Sequence, residues 1–179
     1  SLIEKGMYHE AVALIKETNP LPAICGRVCV RPCEVACRRN LLSEGHAVGI
    51  DYLKRFASDF DLESPNKWKP QVKPSTGKKV AVIGAGPAGL SCGFFLQKEG
   101  HQVDLFEAAP LAGGWLRYGI PEYRLPNNLL QKEVDNITEL GVQIHFNKRF
   151  GENQDYEEIK RKYDAVILTI GSQKGTNIG

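Results

Sequence analysis

The chain has 179 residues, 42% of them hydrophobic and 25% charged, with a formal net charge of +2. That is enough for one ordinary domain, or for a small module followed by a compact α/β unit with its own core, and the composition is that of a globular protein with no charge-based case for nucleic-acid binding. No apolar run approaches the roughly 20 residues that span a bilayer and none marks a secretory signal, so a cytoplasmic location is expected.

Leu2, Ile3, Met7, Val12, Leu14 and Ile15 predict a loosely amphipathic first helix, which Asn19-Pro20-Leu21-Pro22 must end because proline lacks the amide hydrogen and restricts its predecessor. Four of the five cysteines follow at once, every fourth residue: Cys25, Cys29, Cys33 and Cys37. Such crowding is poor spacing for a secreted disulfide framework and suits soft-metal ligation. As one continuous helix the segment would separate its outer sulfurs by roughly 18 Å, so something must fold it back. Gly26 and Pro32 predict a looped first half feeding a short helix over 33–39. The thiolates need not all serve one cluster. An iron–sulfur centre, a zinc site and reduced structural cysteines are the three readings of this spacing. Arg27, Arg31, Arg38 and Arg39 concentrate positive charge here, fit to stabilise an anionic cluster, to meet an acidic electron-transfer partner, or simply to be solvated. Val48, Tyr52, Phe56 and Phe60, with Leu53 beside them, predict a second amphipathic helix over 47–62. Residues 1–63 therefore read as a helical, cysteine-rich iron–sulfur module.

Residues 64–77 are polar and proline-spaced and read as a linker. From Lys78 the pattern becomes strand 80–83, helix 87–100, strand 103–106, a glycine- and proline-rich excursion, helix 127–141, strand 142–146, short helix 156–163 and strand 165–170. Strands alternating with helices predict an α/β fold with a doubly wound parallel sheet over 78–179. The first of these strands runs into Gly84-Ala85-Gly86-Pro87-Ala88-Gly89. Gly84 permits a tight turn, Gly86 lets backbone approach a pyrophosphate, and Gly89 lets the helix pack on the strand, with the helix N-terminus facing the phosphates. Glu107 ends the next strand, eighteen residues beyond Gly89, where a carboxylate accepts ribose hydroxyls. Strand, loop, helix, strand and acid in that order predict dinucleotide binding. Gly113-Gly114 suggests backbone closing over a bulky ligand, for which FAD suits better than a nicotinamide; the plainer reading is an ordinary turn. Cys92 reads as a small buried hydrophobe, and His9, His46, His101 and His145 as surface or structural residues. No triad or paired-carboxylate signature calls for side-chain catalysis.

With Cys25-Gly-Arg-Val-Cys29-Val-Arg-Pro-Cys33-Glu-Val-Ala-Cys37, Leu53-Lys-Arg-Phe-Ala57, the 84–89 loop and Gly113-Gly-Trp-Leu-Arg-Tyr-Gly-Ile-Pro-Glu-Tyr-Arg-Leu-Pro126, the chain resembles the small (β) subunit of NADPH-dependent glutamate synthase. The same architecture occurs in the N-terminal half of dihydropyrimidine dehydrogenase, in bifurcating ferredoxin–NADP oxidoreductases and in flavin subunits of formate dehydrogenases and hydrogenases. The resemblance implies FAD on the 84–89 loop, Glu107 on the ribose, Gly113, Gly114, Trp115 and Arg124 along the flavin or its pyrophosphate, the Phe150 backbone at the adenine, and Gly171 near FAD. It implies [4Fe-4S] ligation by Cys29, Cys33 and Cys37, with Cys25 a further candidate. NAD(P)H would reduce the flavin in the full-length protein, and electrons would leave for a larger catalytic subunit or a ferredoxin-type acceptor. A cofactor-stabilised docking module without catalysis is the rival reading, and a zinc site on an NAD-binding protein a third. A further cysteine motif nearer the N-terminus, a second glycine fingerprint and a closing FAD segment, usual in such proteins, are not in this sequence, which therefore reads as a fragment of a longer subunit. Val30 stands where proline is common, and Lys54 is not expected to ligate iron where some relatives offer a ligand.

Overall fold

The computed structural model describes residues 1–42, 45–152 and 155–172. The chain divides into two compact units, Ser1–Pro70 with Glu122–Glu133, and Gln71–Pro121 with Val134–Gly179.

The first unit is helical. The apolar run at the start is broken by Gly6 in the left-handed region (φ 73°), leaving a 3₁₀ turn at Ile3–Lys5 before helix α1, Tyr8–Ile15. Helix α2 (Pro22–Val28) opens on Pro22, whose missing amide is one that the first turn could not use. Gly26 was expected to loosen this stretch; instead it sits inside α2, because a Cβ there would come 2.8 Å from Arg55 Cβ and 2.9 Å from Arg55 Cα. Glycine here lets α2 press against helix α4, Ile50–Glu63. The expected helix over 33–39 is two pieces, α3 (Pro32–Val35) and a 3₁₀ turn at Arg38–Leu41. Ala11 and Val12 of α1 pack with Ala57 of α4 to form the local core, and Tyr8 meets Phe56 and Phe60 edge-on.

Segment 122–133 joins this unit although it was expected within the second domain. The reason is polar: Glu133, buried, accepts the Ala23 amide at 3.0 Å and the Lys16 ammonium at 3.3 Å. It thereby serves a first-turn donor of α2, a helix whose N-cap residue, Leu21, offers no side-chain cap. Burial pushes the Glu133 carboxyl up, with Lys16 and the Ala23 amide opposing. Glu133 lies on helix α7 (Asn127–Thr138), which begins in the first unit and finishes in the second.

The second unit holds a parallel sheet of β1 (Lys79–Ile83), β2 (Gln102–Phe106), β3 (Gln143–His145) and β4 (Ala165–Leu168) in the order β3-β2-β1-β4. Alternation along the strands sends Leu105 toward Gly93 of helix α5 (Pro87–Lys98), while Ala81, Ile83 and Phe106 pack on Ile159 of helix α8, Tyr156–Lys162. Helices therefore cover both faces, as a doubly wound sheet requires. Among the described residues no helix or strand lies between Glu63 and Lys79. Part of that stretch is nevertheless tied down, by Lys73 N–H to the Lys98 carbonyl at 2.9 Å and Thr76 N–H to the Gly100 carbonyl at 3.0 Å.

Candidate functional site

The C-terminal ends of β1, β2 and β4 open into a cavity of about 960 Å³, the place where open parallel sheets take ligands. Its floor is the turn from β1 into α5. Gly84 has φ 107°, and a Cβ on it would stand 2.5 Å from the Thr169 carbonyl oxygen. A Cβ on Gly89 would overlap the Gly84 carbonyl, and one on Gly114 (φ 53°) would come 2.9 Å from Gly86 Cα. Backbone approaches backbone at each of these points, so only glycine leaves the cradle intact. Helix α5 starts at Pro87 after Gly86 with no side chain capping it, which leaves its first-turn amides open toward the cavity for an anion.

Glu107 stands beside the cradle. One carboxylate oxygen accepts the Ala85 amide and the other the Ala109 amide, each at 2.8 Å, so the acid is clamped between the glycine loop and the chain leaving β2. Each oxygen keeps a second lone pair for a hydroxyl. The Gly113 amide donates to the Ala85 carbonyl at 2.8 Å and ties the second glycine pair to the first.

Of the residues expected at the dinucleotide, Gly84, Gly86, Pro87, Ala88, Glu107, Gly114, Trp115, Phe150 and Gly171 line the cavity. Ala85, Gly89 and Gly113 shape it from behind through the bonds and close approaches above. Arg124 belongs to the first unit and donates to the Val28 carbonyl at 3.4 Å, next to Cys29 in sequence. Thr169 was missed. Its hydroxyl lies 3.0 Å from the Ile83 carbonyl and 2.9 Å from the Gly84 carbonyl and latches the loop to the end of β4; its place just before Gly171 was the one available signal. Trp115, which starts helix α6 (Trp115–Tyr118), donates its indole N–H to the Ser172 carbonyl at 3.3 Å.

The cysteine segment is a second, separate site. Cys25 sits in α2 and turns its thiol to Asn19 Oδ1 at 3.5 Å. Cys29, the residue after α2, accepts the Arg31 amide on its sulfur at 3.3 Å. Cys33 is exposed on α3. The backbone amides of Val48, Arg39 and Asn40, with the Arg39 charge, hold the Cys37 thiol below its ordinary range. Amides aimed at sulfur favour the thiolate, the form that binds metal. Cys37 thus has the donor chemistry of a cluster ligand, and Cys29 carries an amide on its sulfur, while among the described residues no three Cys, His, Asp or Glu side chains converge on one point. Burial pushes the Cys92 thiol up, as for an inert structural cysteine.

An uncapped glycine cradle at the switch point of a parallel sheet, with a clamped carboxylate just after β2, defines a dinucleotide-binding α/β protein, here joined to a cysteine-rich helical module. Residues 1–66 match the family model of dihydropyrimidine dehydrogenase domain II, 4Fe-4S cluster, and residues 82–154 that of the NAD(P)-binding Rossmann-like domain. The chain is 41% identical over 99% of its length to the NADPH-Fe(3+) oxidoreductase subunit beta of Geobacter sulfurreducens, covering 26% of that protein. It is 38% identical to the NADP(+)-dependent formate dehydrogenase subunit beta of Moorella thermoacetica, over 99% of this chain and 28% of the relative. With the glutamate synthase [NADPH] small chain of Bacillus subtilis the identity is 39%, over 97% and 35%. The fold is shared with FprA of Mycobacterium tuberculosis, solved in complex with NADPH, at a TM-score of 0.53 and 23% identity, over 60% of this chain and 25% of that one. The chain is thus similar to oxidoreductase subunits along nearly its whole length, its two parts matching a 4Fe-4S domain and a Rossmann-like domain. It spans well under half the length of these curated relatives. No helix among the described residues is long and apolar enough to cross a membrane.

Proposed function

We propose that the chain is the flavin- and cluster-bearing part of an NAD(P)H-dependent oxidoreductase subunit of the glutamate synthase small-chain type, passing electrons to a larger partner subunit or a ferredoxin-type acceptor in the cytoplasm. The observation that carries this reading is the pairing, in one polypeptide, of the cavity floored by Gly84 and walled by the clamped Glu107 with a cysteine segment whose sulfurs accept backbone amides.

FAD suits the cavity better than a phosphorylated nicotinamide dinucleotide. Glu107 offers acceptors to ribose hydroxyls, while a 2′-phosphate there would meet its negative charge. The α5 N-terminus takes the pyrophosphate, and the glycine contacts exclude side chains from its path. Cys29, Cys33 and Cys37 would hold iron, with amide bonds and arginines favouring the electron-rich state. Bound FAD would supply the exchange between a two-electron donor and one-electron carriers. This chain's residues bind, orient and tune; no side chain has to act as nucleophile or proton carrier.

The test uses the full-length subunit purified anaerobically: released flavin, iron, acid-labile sulfide and bleaching by NADPH or NADH are measured. Flavin and sulfide together are expected. Cys25→Ser should keep the iron that Cys29→Ser and Cys37→Ser lose, because the Cys25 thiol turns to Asn19. Zinc without sulfide, or a colourless protein, refutes the reading.

A further inference from the structure

Arg31 stands in the left-handed region, φ 60° and ψ 44°. Among the described residues only Asn147 is another non-glycine with positive φ. Asparagine tolerates that region through its short polar side chain, whereas arginine has no such local compensation. Pro32 makes the conformation less natural still, since a residue before proline is driven toward extended backbone. Two local preferences are thus overridden at one residue, and something outside the loop must hold it.

The holders are on α4. The Arg31 guanidinium lies over the Tyr52 ring, 4.0 Å from its centroid. Its Nε stands 3.7 Å from Oδ2 of Asp51, an oxygen that is buried and accepts no hydrogen bond. The other oxygen of Asp51 is taken by Lys54 at 2.6 Å, and the Asp51 amide donates to Glu34 on α3 at 2.8 Å. The buried Asp51 side chain therefore turns an oxygen without a hydrogen bond toward the arginine, and Tyr52 closes the other side. The outcome of this clamp is one bond: in this backbone conformation the Arg31 amide points at Cys29 Sγ, 3.3 Å away.

We propose that Arg31 is a positioning residue for Cys29, held by Tyr52 and Asp51 so that its amide donates to the Cys29 sulfur and raises the reduction potential of the centre bound there. The inference rests on the reading of Cys29 as a cluster ligand. Its sign follows from charge: reduction adds an electron to an anionic cluster, and an amide hydrogen and a guanidinium beside a ligand sulfur both favour the more negative state. A side chain that only packed the loop would affect melting and leave the potential unmoved.

The test is a potentiometric titration, followed by EPR, of the full-length subunit with its iron and sulfide determined in parallel. Arg31→Ala and Tyr52→Leu should shift one cluster's midpoint to more negative values or lose that cluster. Arg31→Lys, which keeps the charge over the ring, should stay near wild type. Arg31→Gly should fall between lysine and alanine, because glycine adopts the left-handed backbone without a clamp and so keeps the amide bond while losing the charge. Wild-type midpoints in Arg31→Ala and Tyr52→Leu, or identical behaviour of the alanine and glycine variants, overturn the inference. A wild-type subunit that carries zinc and no sulfide would instead refute the functional reading on which it rests.

Discussion

Replacing Glu107 tests whether a side chain builds the dinucleotide site or merely lines it. Its two oxygens each accept a backbone amide at 2.8 Å, from Ala85 in the glycine loop and Ala109 beyond β2. A hydrogen bond to a charged group contributes about 1.5–3 kcal/mol. The site is open to the cavity, so water replaces part of what is lost, and Glu107→Ala should weaken the loop by about 3 kcal/mol in all. At about 1.4 kcal/mol per tenfold, the FAD dissociation constant should rise about 100-fold, with loss of the proposed ribose contacts adding to it. Glu107→Gln keeps one acceptor and presents an NH₂ to the other amide, so about tenfold is expected. Fluorescence quenching of FAD on the flavin-stripped full-length subunit measures both, with circular dichroism reporting the fold. An alanine variant that holds FAD within twofold of wild type would refute the assignment of Glu107 as the organiser of the cradle. The same variants should admit NADP⁺ as a competitor better than wild type does, because the charge opposing a 2′-phosphate has gone.

Gly26→Ala should destabilise the first unit by about 1–3 kcal/mol although alanine is the better helix former by about 1 kcal/mol, because the added Cβ meets Arg55 backbone at 2.9 Å; a raised melting temperature would contradict the close approach of α2 and α4. Lys16→Met leaves the Glu133 carboxyl, which burial already pushes up, with only the Ala23 amide and should cost up to about 3–5 kcal/mol in urea unfolding, less where the carboxyl takes up a proton. Lys16→Met with Glu133→Gln should recover most of that, since the glutamine still accepts from Ala23; equal losses would sink the pairing. Tyr163 has its phenol pushed up to about 12, by burial first and then by the Asp104 charge and the hydrogen bond to it. The fold thus holds that proton more tightly than the unfolded chain, whose tyrosine loses it near pH 10. This stabilisation is complete below about pH 10 and lost as the pH rises toward 12, by less than about 1 kcal/mol once partial exposure is allowed for. Thermal melts of wild type should fall more steeply over that window than those of Tyr163→Phe, and parallel curves would contradict the Tyr163–Asp104 contact.

Local pattern made much of this protein readable before any coordinates. The order of strands and helices, the glycine loop, Glu107 at the end of β2 and the crowded cysteines are all set by neighbours within a few residues, where periodicity and glycine sterics act. Helix ends moved by up to three residues, α4 starting at Ile50 rather than 47 and α7 ending at Thr138 rather than 141, and α1 lost its first turn to Gly6. Contacts between residues far apart in sequence could not be read in that way. Gly26 looks like a helix breaker until Arg55 lies against it. Segment 122–133 reads as part of the α/β domain until Glu133, 110 residues away, supplies an acceptor to Ala23. Thr169 enters the site because β4 pairs with β1. Arg31 takes a backbone conformation that its own identity and Pro32 both oppose, held by Tyr52 and Asp51. Composition and spacing therefore determined which chemistry the chain carries. Tertiary structure decided which groups are aimed at it, because a buried carboxylate, a close helix crossing or a clamped arginine exists only once distant parts of the chain have removed water from between them.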